Sequence, residues 1–202
     1  MLKSRNLSYE RMKLEDVYQF KNWGRHRTVL LNDYNFYEET DEDIKSWFQW
    51  KTHSSFNFYY TIFLGDKAIG YISFKNTSSL LKRTTLGLVL DPNFINCGYG
   101  TEALVFMLNY FINEKNISKV VLKVAGFNKR AKALYEKVGF EKVSTSIFIY
   151  DNGDYDESIS DYRDNKESFF VLFGKTFFYA DKMILNRKKF DGVVKCISNF
   201  KI

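Results

Sequence analysis

The residues best placed to do chemistry lie in two short stretches of this chain. The first is Asn96-Cys97-Gly98-Tyr99-Gly100-Thr101-Glu102-Ala103, which runs from the end of an extended segment into a helical pattern. Glycines let backbone amides approach an anion closely, and the first turn of a helix offers unpaired N–H groups and a partial positive charge. A phosphate is the natural guest. The spacing Gly98-x-Gly100-x-x-Ala103 also fits a dinucleotide-binding fingerprint, which calls for a carboxylate ending the next strand to hold the ribose. Here that strand ends Val124-Ala125-Gly126, and the loop sits mid-chain after a hairpin, so the nicotinamide reading is set aside. Taken alone, the two glycines would also suit a plain tight turn.

The second stretch follows about thirty residues later, as Asn128-Lys129-Arg130-Ala131-Lys132-Ala133-Leu134-Tyr135-Glu136-Lys137-Val138-Gly139-Phe140. Asn128 is a helix N-cap by type, Gly139 a left-handed C-terminal residue, and Ala131, Leu134, Tyr135 and Val138 share one face. Other constellations are absent from the sequence. His26 and His53 are the only histidines, and both read as surface or capping residues. There is no Gly-x-x-x-x-Gly-Lys-Ser/Thr stretch, no Gly-x-Ser-x-Gly elbow and no metal-ligand spacing. Cys97, although near a helix N-terminus, would meet phosphate rather than substrate and reads as incidental.

The elements that must position these stretches follow from hydrophobic periodicity. Residues 5–12 read as a first strand and Leu14–Trp23 as a helix. A second helix opens on Thr40 and Asp43 as a capping box, with Ile44, Trp47, Phe48 and the stem of Lys51 on one face. The aromatic segment between them, Arg25–Glu39, either packs over the domain or lines a pocket. Phe56–Leu64 and Ala68–Phe74 alternate with period two around Gly65-Asp66, an antiparallel hairpin. Thr84–Asp91 is a further strand, which Pro92 ends. The helix after Gly98 carries Leu104, Val105, Leu108, Phe111 and Ile112, and Val120–Val124 is a strand, so 84–124 should form a right-handed parallel crossover. Strands at 142–150, 168–173 and 176–184 complete the sheet, the last pair turning at Gly174-Lys175. Asp151–Asp164 reads as an exposed acidic insertion.

Together the two stretches resemble the GNAT superfamily of acetyl-CoA-dependent N-acetyltransferases, tightly over Leu86–Val143 and by element order over nearly the whole chain. The run from Leu90-Asp91-Pro92 through Leu104 looks most like the ribosomal-protein-alanine and polyamine acetyltransferase branch. The fold this resemblance implies is α/β, a mixed and mostly antiparallel sheet with a central splayed parallel pair, flanked by helices. It implies acetyl-CoA as co-substrate, held by backbone of Leu88, Val89 and Leu90 in the splay. Its diphosphate would lie on the loop Ile95, Asn96, Cys97, Gly98, Tyr99, Gly100 and Thr101, with Arg130 near the nucleotide-end phosphates. Tyr135 resembles the family's general acid, and Asn128 the family's asparagine, which contacts coenzyme A or orders the neighbouring strand. Two positions depart from the family pattern. Ile95 stands where Arg or Gln is frequent. Thr85 stands where many relatives carry a glutamate base, and a threonine hydroxyl is no base near neutral pH. The base is left open between a water relay, a carboxylate of the Asp33–Glu42 segment, and none.

The expected function is acetyl transfer to a primary amine, either a protein N-terminus or a small cationic amine, by direct attack in a ternary complex. The alternative is a non-catalytic acyl-CoA-binding module, which Thr85 favours. The amine should enter opposite the cofactor, past Trp23–Tyr37, the second helix and the last hairpin, with Asp33, Glu38, Glu39 and Asp41 as attracting charges. At 202 residues, 45% hydrophobic and 27% charged, with a single proline, the chain suits one domain over 1–202 with an acidic insertion at about 151–166 and a basic tail at about 186–202. Two distant cysteines, no apolar signal core and no span-length apolar run point to a cytoplasmic protein without a membrane partner. The net charge of +6 suits anionic partners generally; nucleic acid comes last among them, because no basic strand face carries interleaved aromatics. Edge strands in the C-terminal third leave room for a homodimer.

Overall fold

The computed structural model describes residues 1–151 and 155–198, the last five of these by backbone only. Nine strands form one sheet in the order β1 (Leu2–Lys3), β2 (Ser8–Arg11), β3 (Phe58–Leu64), β4 (Lys67–Ser78), β5 (Arg83–Leu90), β6 (Lys119–Ala125), β9 (Lys175–Asn186), β7 (Glu141–Ile149), with β8 (Phe169–Leu172) also pairing β9. Every pairing is antiparallel except β5 with β6. The crossover between those two carries α3 (Tyr99–Asn109), as a parallel connection requires. The remaining helices are α1 (Leu14–Gln19), α2 (Asp41–Thr52), α4 (Lys129–Lys137), the single-turn α5 (Ser160–Arg163) and α6 (Arg187–Ser198).

Side-chain alternation divides the core between the two sheet faces. On one face Ile62, Ile72, Phe74, Leu86, Val120 and Leu122 pack under α3, whose Leu104, Met107 and Leu108 are fully buried. Phe111, just beyond α3, stacks on Phe74 at 3.6 Å between ring centroids. On the other face Tyr59, Ala68, Tyr71 and Val89 meet Val17, Phe20 and Ile44 from the α1 and α2 side. A third cluster, Leu30, Tyr150, Tyr162 and Phe169, lies apart from both.

Several expected elements shift. The first strand is a hairpin, β1 and β2, turned over Ser4–Leu7 by a backbone bond from Ser4 N to Leu7 O. The first helix ends at Gln19 and tightens into a 3₁₀ turn at Phe20–Asn22, so Trp23 lies outside it. The β8–β9 turn sits one residue early, on Phe173 (φ 49°) and Gly174 (φ 70°), both left-handed as a two-residue hairpin turn demands. Two corrections go further. The acidic insertion is not simply exposed: α5 lies in it, and Tyr162 is 2% exposed in the third cluster. The basic tail begins as helix α6, whose Phe190 is buried in the main core. Residues 152–154 of the insertion and 199–202 of the tail lie outside the described residues.

Candidate active site

The parallel pair is joined over three residue pairs only, Arg83↔Lys119, Thr84↔Val120 and Thr85↔Val121. Beyond them β5 continues to Leu90 and β6 to Ala125 without pairing, so the sheet opens as a wedge with Thr85 at its apex. On its other edge β5 stays zipped to β4 through Gly70↔Leu90. The Asp91 N–H donates to Ile69 O at 2.8 Å. Antiparallel strands alternate between bonded and non-bonded pairs, so Val89 and Gly87 also turn their backbone groups to β4. Leu86, Leu88 and Leu90 therefore turn theirs into the wedge. Unpaired backbone polar groups call for a partner.

The wedge opens into a cavity of about 490 Å³, within the range of small-ligand sites. At the wide end lie Ile95, Asn96, Gly98, Gly100 and Thr101. Gly98 caps α3 at φ 85° with no side-chain cap, and Asn96 is likewise left-handed at φ 63°. Thr101 N and Glu102 N close on Gly98 O, so it is the Tyr99 and Gly100 amides that the helix leaves open. A Cβ built on Gly98 would meet nothing within 4 Å, whereas one on Gly100 would stand 3.2 Å from Leu90 Cδ1. Gly98 is needed for its backbone angle, Gly100 for its closeness to the strand.

Across the wedge α4 presents Asn128, Arg130, Ala131, Leu134 and Tyr135 to the cavity. The Asn128 side-chain oxygen accepts from Ala131 N at 3.2 Å, so the N-cap forms as its type requires. Tyr34, at the end of the 3₁₀ segment Val29–Tyr34, lines the same cavity, where burial raises its phenol and Asn128 works the other way. Burial pushes the Tyr135 phenol well above its ordinary value, with Tyr34 adding to the rise. A salt-bridged carboxylate fixes α4 from behind: Asp181 meets Lys132 at 2.8 Å and Lys142 at 2.6 Å and accepts from Thr145 Oγ1 at 3.2 Å.

On the α2 face the cavity is walled by Lys51, Tyr59, Tyr71, Ser73, Lys75, Gly87 and Val89, with Lys123 of β6 alongside. Burial first, then the neighbouring Lys75 charge, brings the Lys51 ammonium down to about 8, and Glu38 acts the opposite way. Burial also raises the phenols of Tyr59 and Tyr71.

Of the residues singled out in the sequence, Leu88, Val89, Leu90, Ile95, Asn96, Gly98, Gly100, Thr101, Asn128, Arg130 and Tyr135 line this one cavity. Cys97 and Tyr99 do not. The Cys97 thiol turns back to Ile95 O at 3.5 Å, and the Tyr99 ring packs on Phe94. Thr85 closes the apex as the last paired residue, outside the lining.

His26 was expected at the surface or as a cap, yet it lines the cavity, where burial and then Arg130 lower its pKa. Asp33, Glu38, Glu39 and Asp41 are absent from the lining, and so is every residue of the last hairpin. The Trp23–Tyr37 segment and α2 do contribute, as expected, through Leu31, Tyr34 and Lys51. Residue type gives no local sign of either Ser73 or Lys75 here: Ser73 is one face of the expected strand Ala68–Phe74, and Lys75 lies just past its end, where β4 runs on to Ser78.

A family model described as an acetyltransferase (GNAT) domain matches residues 6–141 of the chain. The chain belongs to the GNAT acetyltransferase family. A curated relative, an N-acetyltransferase 9-like protein of Nematostella vectensis, is 30% identical over 59 residues, covering 29% of this chain and 30% of that protein. The match thus spans under a third of the relative's length. Among solved structures, the spermidine N-acetyltransferase of Vibrio cholerae in complex with CoA and spermine superposes with a TM-score of 0.67 at 16% identity, over 92% of this chain and 98% of that one. A chimera of Vibrio cholerae SpeG and hSSAT gives 0.68 at 16% identity, again over 92% and 98%. At that identity the likeness is one of fold. The GNAT match ends at Glu141, so the acidic insertion, the last hairpin and α6 lie beyond it.

Proposed function

We propose that this GNAT protein transfers the acetyl group of acetyl-CoA to a primary amine by direct attack in a ternary complex. The observation that carries the reading is one cavity whose lining runs from the α3 N-terminus along the unpaired edge of β5 to Lys51 of α2. The α3 N-terminus and the Gly98–Gly100 turn receive the diphosphate, with Arg130 beside it. The wedge-facing backbone of Leu86, Leu88 and Leu90 pairs with the amides of the pantetheine arm. Acetyl-CoA, when bound, supplies the thioester.

The amine lone pair attacks the thioester carbonyl, and the Leu88 N–H is a donor for the oxyanion that develops. As the C–N bond forms and the C–S bond breaks, Tyr135 gives its phenolic proton to the departing sulfur. The proton lost by the amine nitrogen returns to the Tyr135 oxygen through solvent, leaving amide and free thiol. A phenol whose pKa is raised is fully protonated at neutral pH, as a general acid must be. Asn128 caps the helix that carries it.

Thermal unfolding with acetyl-CoA tests the binding step, and thiol release over an amine panel tests the chemistry. Acetyl-CoA should raise the melting temperature, and Gly100→Trp, which fills the gap to Leu90, should abolish the rise. No shift at millimolar ligand overturns the proposal. Binding without thiol release from any amine would instead leave a non-catalytic acyl-CoA-binding module.

A further inference from the structure

The cavity's lining is one-sided in charge. Among the described residues it holds the cations Lys51, Lys75, Lys123, Arg130 and Lys137, and no carboxylate. The diphosphate does not account for all of these. Lys75 pairs with Thr85 at the apex, while the phosphate loop begins past Leu90. Five residues of extended strand separate the two, about 16 Å. Lys51 reaches the same cavity from α2, close enough to Lys75 to feel its charge. Lys75, and Lys51 with it, thus line the cavity away from the phosphate loop.

Neither lysine is neutralised by contact. No ion pair among the described residues includes Lys51 or Lys75. Lys51 lies over the rings of Trp47 at 5.2 Å and Trp50 at 4.0 Å. Glu38 acts on it without forming a pair. Two ammonium groups facing one partly desolvated space repel each other, and an anion between them removes the repulsion and accepts from both.

We propose that the acceptor is an amine bearing an anionic group, a carboxylate or a phosphate, which docks between Lys51 and Lys75 on the α2 face of the sheet. The amine end then points to the wedge, and Tyr59, Tyr71 and Val89 cover the intervening carbon chain. The proposal rests on the acetyl-transfer reading and narrows it. It turns away the small cationic amine that the acidic residues of 33–41 suggested, because a second ammonium would meet Lys51 and Lys75.

Three amines of similar length form the test: cadaverine, 5-aminopentanoate and 3-aminopropyl phosphate. Thiol release with acetyl-CoA gives kcat/KM, and calorimetry on the CoA-loaded protein gives affinity without turnover. One or both anionic amines should exceed cadaverine at least tenfold in each measurement, and the leader separates carboxylate from phosphate. Lys75→Glu should reverse the order, and Lys51→Gln should narrow it. Equal or better use of cadaverine overturns this proposal while acetyl transfer stands. Tight binding of an anionic amine with no thiol release supports the anion seat and removes the catalytic reading. If none of the three binds or reacts, or if Lys75→Glu binds the anionic amines as the unsubstituted protein does, the anion seat is wrong.

Discussion

Tyr135 is almost wholly buried, and burial holds its proton well past neutrality. Removing only the hydroxyl isolates its chemical role, since the ring remains packed at 5.7 Å from Phe140. Tyr135→Phe should lower single-turnover thiol release by about 10²–10³-fold, the range of a lost general acid, while acetyl-CoA affinity is unchanged. An unaltered turnover rate would assign Tyr135 to packing alone. Tyr135 and Asn128 were legible in the sequence because a family pattern marks them and local rules place one as the cap and the other on the inner face of the same helix. Lys75, Ser73 and His26 were not. Their place at the cavity depends on strand register and on a loop path, neither of which leaves a local trace in residue type.

At the scale of elements, the phosphate loop is braced from the N-terminus. Glu102, in the first turn of α3, accepts from Ser4 Oγ at 2.6 Å, Asn6 N at 2.6 Å, Asn6 Nδ2 at 2.8 Å and Leu7 N at 3.3 Å. Burial works against its charge, but these donors outweigh burial and hold the carboxyl below its ordinary value. A lowered carboxylate pKa contributes stability that is complete above the unfolded value of about 4.3 and is lost as pH falls through the folded one. Partial exposure screens the interaction, so Glu102→Gln should cost about 1–2 kcal/mol at pH 7 in urea unfolding. The difference should shrink as pH falls below the unfolded value and through the lower folded one, where the native carboxyl also protonates. A penalty that persists in full at low pH would mean that shape, not charge, joins β1–β2 to α3.

The insertion acts at the same scale. Asp161 Oδ2 accepts from Val29 N at 3.0 Å, and Tyr162 packs with Leu30, so α5 clamps the 3₁₀ segment that carries Leu31 and Tyr34 into the cavity. Tyr162→Ala should cost about 3 kcal/mol and raise the acceptor KM more than that of acetyl-CoA, read by urea unfolding and steady-state kinetics. Equal effects on both KM values would show that the clamp steadies the whole fold instead. Capping rules foretold the local starts and stops: the Thr40–Asp43 box, the Asn128 cap and Gly139 at φ 97° all appear. The clamp was hidden, because two tyrosines scattered through Asp151–Asp164 have no period to betray a buried face.

Over the whole molecule, β1 to β5 and β6 to β9 form two half-sheets that share three residue pairs at the apex, with α3 crossing between them. The place of β9 between β6 and β7 left no local sign, but the parallel return across a helix was legible in the sequence. The depth of the opening was not, since it depends on where β5 and β6 part. A ligand in the wedge would replace the missing ladder and stiffen the junction of the halves. At a hundredfold excess over Kd, binding to the native state alone adds about 2.7 kcal/mol. The added protection should have a pattern. Amides of Leu86, Leu88 and Leu90 face the opening and should slow in hydrogen exchange when acetyl-CoA is added, whereas Gly87 and Val89, already bonded to β4, should change little. Such an alternation requires ligand along the strand edge. Uniform slowing from Arg83 to Leu90, or slowing confined to Gly98–Thr101, would mean that the ligand grips only the helix end and leaves the wedge empty.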